Sequence, residues 1–170
     1  RAGRQSLGAA AGLRGRPINC DCGKWLPAKG TKVGMMPLYN LDAAARGQYI
    51  FVVENPVDAL MVTERTEYLG VASYSVAYWT DEWTARLKAA HPKAVIVAYD
   101  NDLPGNGGGV NRNKFIASWM QTHSGNCVPQ SNGVKLVNKL IEAGLPALLY
   151  DWGNKPEKYD IGQMLMEEMK

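Results

Sequence analysis

Continuous apolar runs alternate with amphipathic stretches along the chain from residue 49 onward. The runs at 49–53 and 94–99 lack the polar alternation of a half-exposed strand, which is typical of buried strands in a parallel sheet. Residues 71–76 and 145–150 indicate two further strands. Because helical spacing of apolar residues separates these runs, the pattern predicts an α/β fold: a compact sandwich with a four-stranded, mostly parallel sheet and helices on both faces.

The helices are predicted over about 56–68, from Thr80 to His91, over 133–143, and after Asp160. Pro56 suits a first helical turn, Thr80 suits an N-cap, and Gly70 is expected to end the first helix.

Acidic side chains follow two of the predicted strands. Glu54 follows the first strand, and Asp100 and Asp102 follow the third. Ligand sites of open α/β sheets lie outside the carboxyl ends of the strands, so these side chains are expected to converge. Three carboxylates repel one another unless a cation lies among them, and oxygen ligands favour Mg²⁺ or Mn²⁺. The alternatives are an ordinary strand-end acid at Glu54 and a turn at Asp-Asn-Asp.

Two further acids lie at predicted helix starts. Asp58 falls in the first turn of the predicted helix, where it complements the helix dipole. Asp160 precedes an apolar helix, where it suits an N-cap.

Two segments carry a resemblance to a known family: VVENPVDAL at 52–60 and AYDNDLPGN at 98–106. Together they resemble the TOPRIM domain of bacterial-type primases, topoisomerases, some nucleases and repair proteins. That family has a Glu after its first strand and an Asp-x-Asp after its third, which Glu54, Asp100 and Asp102 match. The resemblance covers roughly residues 37–168. It implies that about 107–131 is an insertion beside the site. The alternative is that 111–122 is the regular helix and that 133–143 continues it after a break.

Within the family, the segments look most like primases of bacteria, phages and plasmids, which often carry Glu-Gly-x-x-Asp-Ala-Leu. Asp58 matches the Asp of that motif, whereas Asn55 replaces the usual Gly. Primases also often carry Lys-Asp-x-x-Asp-x-Leu near the end of the domain. Asp160 is the candidate equivalent there, although the spacing differs.

The resemblance implies a DNA primase catalytic domain that makes short RNA primers on single-stranded DNA from nucleoside triphosphates. Mg²⁺ or Mn²⁺ would be held by Glu54, Asp100 and Asp102, with Asp160 as a further candidate ligand. A replicative helicase, separate or fused, is the implied partner. The alternatives are a TOPRIM nuclease with the same carboxylates and a non-catalytic nucleic-acid-binding module. A topoisomerase is disfavoured because it needs a strand-cleaving Tyr on another domain.

The formal net charge of the 170-residue chain is only +3, but the charge is uneven. Residues 1–35 hold seven basic residues against one acid, Asp21. We therefore predict an irregular basic extension over 1–36, followed by the catalytic domain over 37–170. A basic arm can neutralise phosphates, and the alternative is a solvated tail. The candidate nucleic-acid-binding residues are Arg14, Arg16, Lys24, Lys29 and Lys32.

The apolar runs, the N-terminus and the cysteines indicate where the protein is located. No apolar run approaches the roughly 20 residues that span a bilayer, and there is no signal-peptide pattern. Three cysteines give no disulfide framework, so a cytoplasmic location is expected. Cys20 and Cys22 resemble half a zinc knuckle, but a structural zinc needs four ligands. Because the chain starts without Met, it is expected to be a piece of a longer protein.

Overall fold

The computed structural model describes residues 14–15, 26–27, 38–102, 105 and 131–168. The chain divides into two compact units, Arg1–Pro37 and Leu38–Lys170. In the first unit, strand β1 (Arg14–Gly15) pairs antiparallel with β2 (Leu26–Pro27). Of the basic residues predicted to bind nucleic acid, Arg14 lies in β1. Arg16, Lys24, Lys29 and Lys32 lie outside the described residues, as do Cys20 and Cys22.

Within its described residues, the second unit contains a parallel sheet, four α-helices and one short 3-10 helix at Leu41–Ala43. Its strands are β3 (Tyr49–Val53), β4 (Leu69–Ala72), β5 (Ala94–Val97) and β6 (Ala147–Leu149). Its α-helices are α1 (Pro56–Arg65), α2 (Asp81–Ala89), α3 (Asn132–Glu142) and α4 (Ile161–Glu167).

The strand order of this sheet is β4-β3-β5-β6, and each neighbouring pair is parallel. From β3 the chain first adds β4 on one side and then crosses to place β5 on the other side. The strand order therefore reverses between β3 and β5, the position at which open α/β sheets form their ligand crevice. The predicted four-stranded α/β architecture is confirmed.

Alternate residues of β3 divide the core between the two faces of the sheet, as expected for a strand buried on both sides. Ile50 and Val52 pack in one cluster with Trp83 of α2 and Leu136 of α3. The other face holds a second cluster, formed by side chains from β3, α1, α4 and the segment before α4: Phe51, Val53, Ala59, Val62, Trp152, Tyr159, Ile161 and Leu165. Helices therefore cover both faces, with α1 and α4 sharing one of them.

The predicted helix starts at Pro56 and Thr80 are confirmed. Pro56 is the first residue of α1, and the Thr80 hydroxyl caps α2 by accepting from the Trp83 amide at 3.1 Å. The prediction that Gly70 ends the first helix is wrong. Helix α1 ends at Arg65, and Gly70 lies inside β4, where a Cβ atom would fall 2.1 Å from the Ala59 carbonyl oxygen. Gly70 therefore permits close packing of α1 on the sheet.

The second strand also lies earlier than the predicted 71–76, because β4 begins at Leu69 and ends at Ala72. Most of the predicted insertion at 107–131 lies outside the described residues, as does the alternative helix at 111–122. Within the described part of the chain, no helix has the length and apolarity needed to cross a membrane.

Candidate functional site

The candidate site lies where the strand order reverses, at the carboxyl ends of β3 and β5. Glu54 directly follows β3, and Asp100 comes three residues after Val97, the last residue of β5. The register pairs Val52 with Val97, so the two acids leave neighbouring strands at nearly the same height. The sheet thus brings together two carboxylates that are 46 positions apart in the sequence.

Asp58 joins these acids through the start of α1. The Asn55 side-chain oxygen accepts hydrogen bonds from the amides of Val57 at 2.9 Å and Asp58 at 3.0 Å, which caps the helix. The same Asn55 side chain donates from Nδ2 to the Asp58 carboxylate. Asp58 is only 6% exposed, so its carboxyl group lies in a largely dehydrated position. Asn55 therefore both caps α1 and binds the Asp58 side chain.

Asp102 forms a tight turn after Asp100. Its Oδ1 accepts from the Gly105 amide at 2.7 Å, and its own amide donates to the Asp100 carbonyl at 2.7 Å. A Cβ atom at position 105 would lie 2.5 Å from that carbonyl oxygen, so the turn fits glycine there. The turn interpretation of Asp-Asn-Asp is thus correct for Asp102, and the charge of Asp102 still acts on Asp100.

Asp160 reaches the same region from the other end of the chain. Its Oδ1 caps α4 by accepting from the Gln163 amide at 2.6 Å, so the N-cap interpretation is confirmed. The next turn brings Gly162 against the carboxylates: a Cβ atom there would lie 2.6 Å from Asp58 Oδ1 and 3.3 Å from Asp160 Oδ1. Asp160 is therefore both a helix cap and a neighbour of Asp58.

The carboxylates interact strongly at Asp100. Burial is the largest cause that raises the pKa of Asp100 from its ordinary value of 3.8 to about 7. The negative charges of Glu54, Asp160 and Asp102 act in the same direction, whereas a backbone hydrogen bond lowers the pKa. Asp100 therefore gains a proton near neutrality when no cation is bound.

The pKa of Asp58 is raised in the same way. Burial again comes first among the causes that raise its pKa from 3.8 to about 7, followed by the charges of Asp160 and Asp100. Glu54 also raises this pKa, and the hydrogen bond from Asn55 opposes the shift. Glu54 and Asp160 thus act on both Asp58 and Asp100, so these four carboxylates share one electrostatic environment.

The chemistry of the donors fits a hard divalent cation. All the converging groups are carboxylates, the ligands that Mg²⁺ and Mn²⁺ prefer, and their mutual repulsion would be relieved by a positive charge. Among the described residues, however, no three His, Cys, Asp or Glu side chains stand in an arrangement ready to hold a metal ion. Metal binding would therefore have to be accompanied by rearrangement of these carboxylate side chains.

Buried polar groups support the strand ends behind the carboxylates. The Tyr99 hydroxyl lies 3.0 Å from the Ser73 hydroxyl, which joins the residues that follow β4 and β5. Burial, together with the nearby charge of Glu54, raises the Tyr99 pKa well above its ordinary range, so this group stays protonated. The Trp152 indole nitrogen donates to the Tyr99 carbonyl at 2.9 Å. These bonds hold the backbone from which Asp100 projects.

Sequence reasoning missed the roles of Asn101 and Gly162. Asn101 is 1% exposed and bonds to the segment that precedes Asp160, and Gly162 lies against Asp58. One signal was available for Asn101, because a polar residue that lies between two acids just beyond a buried strand needs a partner if it is buried. Nothing local in the sequence points from Gly162 to Asp58, 104 positions away.

The chain was compared with protein-family models, with curated proteins and with solved structures, and no match was found.

Proposed function

We propose that this chain is the catalytic domain of a DNA primase, which joins ribonucleotides into short primers on single-stranded DNA with Mg²⁺ or Mn²⁺. One observation carries the proposal: acidic side chains meet at the carboxyl edge of a parallel sheet. The register of β3 and β5 brings Glu54 and Asp100 to that edge, and Gly162 lies against both Asp58 and Asp160. The TOPRIM-like order of Glu54 and Asp100-x-Asp102 supports the choice of phosphoryl-transfer chemistry over other uses of such a site.

Glu54, Asp100 and Asp102 would hold the metal, with Asp160 as a further ligand and Asp58 as support. When bound, the cation supplies charge neutralisation of the triphosphate and a lower pKa for the attacking 3′-hydroxyl. Asp58 and Asp100 would each lose the proton that burial and neighbouring charges favour as the site fills, since a nearby positive charge favours the ionised form. The basic residues of 1–36 would hold template or nucleotide through their phosphates.

The proposal is tested by labelled ribonucleotide incorporation on single-stranded DNA in the presence of Mg²⁺ or Mn²⁺. The wild-type chain is compared with Glu54→Gln and Asp100→Asn, each of which removes one charge without changing the shape of the side chain. Glu64→Gln is the matched control, because Glu64 is an exposed acid on the far part of α1. We expect short products from the wild-type chain and the control, and a loss of at least about 100-fold in both site variants.

Two outcomes would overturn the primase assignment. Metal-dependent shortening of the template that both site variants abolish would instead establish a nuclease with the same carboxylates. DNA binding with no chemistry and no metal binding would favour a non-catalytic binding module. A helicase partner would be tested separately, by asking whether an added replicative helicase stimulates primer synthesis.

A further inference from the structure

Asn101 connects the turn that carries Asp100 and Asp102 to a distant segment of the chain. Its backbone amide donates to the Tyr159 carbonyl at 2.8 Å, and its carbonyl accepts from the Lys158 amide at 3.0 Å. Its side-chain Nδ2 donates to two more carbonyls, those of Lys155 at 2.8 Å and Pro156 at 2.9 Å. A single buried residue thus makes four hydrogen bonds to residues 155–159.

This segment ends directly at Asp160, so its placement decides where that carboxylate lies. The segment forms no helix or strand, and Lys158 adopts a left-handed backbone with φ of 63°. Regular secondary structure therefore does not fix the approach to α4. The segment is also held by the Lys155 amide, which donates to the Trp152 carbonyl at 3.1 Å, and by burial of Tyr159. The bonds to Asn101 are the contacts that attach it to the residue between Asp100 and Asp102.

The amide side chain is suited to this contact. Because both partners of Nδ2 are carbonyl oxygens, the position needs a donor, which an Asp or a Leu of similar shape cannot provide. Asn101 Oδ1 is also buried with no hydrogen-bond partner in the described part of the chain. A buried polar atom without a partner is uncommon in folded proteins and is unfavourable for stability. The contact is therefore poorly explained as packing alone.

We propose that Asn101 is a positioning residue: it holds segment 155–159 so that Asp160 lies beside Asp58 and Asp100 and can contribute to the metal site. This inference rests on the proposed function, because it assumes that the carboxylates bind a divalent cation. It also goes beyond that function. It states that Asp160 lies beside the other carboxylates because Asn101, which binds no metal itself, holds the segment that leads to it.

The test is a titration of the full chain with Mn²⁺ at pH 8, followed by electron paramagnetic resonance of the free ion. Asn101→Leu removes both side-chain donors, and Asp160→Ala removes the carboxylate that they position. We expect Asn101→Leu to weaken Mn²⁺ affinity about tenfold, the lower end of the effect of residues that support metal ligands. In the Asp160→Ala background, the same substitution should change affinity less than about twofold, because the two residues act together.

Asn40→Gly is the matched control. Asn40 also bonds through Nδ2 to a backbone carbonyl, that of Gly70 at 3.1 Å, and glycine accepts its left-handed φ of 63°. This control should leave Mn²⁺ affinity unchanged. A wild-type chain that does not bind Mn²⁺ would contradict the proposed function itself. Binding that Asn101→Leu does not weaken, or effects of Asn101→Leu and Asp160→Ala that simply add, would overturn the positioning role alone.

A measurement on the unmodified chain covers the case in which Asn101→Leu fails to fold. Bound Mn²⁺ broadens nuclear magnetic resonance signals of amides that lie close to it. If segment 155–159 delivers Asp160 to the metal, the amide signal of Asp160 should be lost at the same Mn²⁺ concentration as that of Asp100. An Asp160 signal that persists after the Asp100 signal is lost would overturn the inference.

Discussion

Gly162 of α4 lies so close to Asp58 of α1 that a Cβ atom at position 162 would fall 2.6 Å from the Asp58 Oδ1 atom. That Cβ atom would also lie 3.3 Å from Asp160 Oδ1. The two helices therefore meet at the carboxylates, and the absence of a side chain at Gly162 lets Asp58 and Asp160 share one environment.

Gly162→Ala is expected to destabilise the protein, although alanine normally stabilises a helix relative to glycine by about 1 kcal/mol. The added methyl group must displace the buried Asp58 carboxylate, so the free energy of unfolding should fall by about 1–3 kcal/mol in urea titrations. In an Asp58→Ala background the 2.6 Å contact is gone and the 3.3 Å approach to Asp160 Oδ1 remains, so the substitution should cost clearly less stability. An equal loss in both backgrounds would contradict the close approach.

Asp58→Asn is expected to change how stability depends on pH. In the folded chain the pKa of Asp58 is about 7, compared with 3.8 as its ordinary value, so the folded state binds more protons than the unfolded state between these values. The stability that Asp58 contributes is therefore full below about pH 4 and is lost as pH rises through about 7. Without metal at pH 8, Asp58→Asn should be about 1–3 kcal/mol more stable than the wild-type chain.

The measurement is urea unfolding at pH 4, 6 and 8 in the presence of a chelator, with Glu64→Gln as an exposed control on the same helix. At pH 4 the Asn variant and the wild-type chain should differ little, and the control should stay within about 0.5 kcal/mol throughout. Addition of Mg²⁺ should reduce the advantage of the Asn variant at pH 8. A constant difference at all three pH values would rule out the titration of Asp58 as its cause.

The sequence predicted the parts of the fold that local pattern determines. Continuous apolar runs identified strands buried on both faces, and Pro56 and Thr80 marked helix starts through their local geometry. The same pattern placed Glu54 and Asp100 at the carboxyl ends of neighbouring strands, because parallel strands direct those ends to one edge. Their roles at that edge remain predictions.

The parts that local pattern could not predict depend on packing between distant segments. Gly70 looked like a helix end, because a glycine after an amphipathic stretch commonly has that role. Gly70 instead lies inside β4, where the close approach of Ala59 in α1 leaves no room for a side chain. Likewise, the bonds of Asn101 to the carbonyls of Lys155 and Pro156 join residues more than 50 positions apart, which no periodicity records.

Gly70→Ala is expected to be strongly destabilising. A Cβ atom at position 70 would lie 2.1 Å from the carbonyl oxygen of Ala59 and 2.7 Å from its Cα, and backbone atoms cannot rotate away as a side chain can. Helix α1 would have to move off the sheet, so we expect a loss of about 3 kcal/mol in urea unfolding. Because α1 carries Asp58, Mn²⁺ affinity should fall as well. A loss below about 1 kcal/mol would contradict this helix placement.

Trp152→Phe tests whether the hydrogen bond from Trp152 to the Tyr99 carbonyl holds the backbone that leads into Asp100. The indole nitrogen of Trp152 donates to the Tyr99 carbonyl at 2.9 Å, and phenylalanine keeps an aromatic ring against Tyr150 and Tyr159 but removes the donor. A buried carbonyl that loses its partner costs about 1–3 kcal/mol, so urea unfolding should show a decrease of that size. Because the released carbonyl directly precedes Asp100, Mn²⁺ affinity should also fall.

Trp79→Phe is the control that distinguishes a general loss of stability from a specific loss of Mn²⁺ affinity. The Trp79 indole nitrogen donates to the Thr84 hydroxyl at 2.9 Å, a hydrogen bond of the same length within the region around α2. Both variants should lose stability in urea, but only Trp152→Phe should weaken Mn²⁺ binding in a titration at pH 8. Equal weakening in the two variants would mean that affinity follows global stability. Unchanged affinity in Trp152→Phe would mean that the Tyr99 carbonyl does not need this bond to hold Asp100 in place.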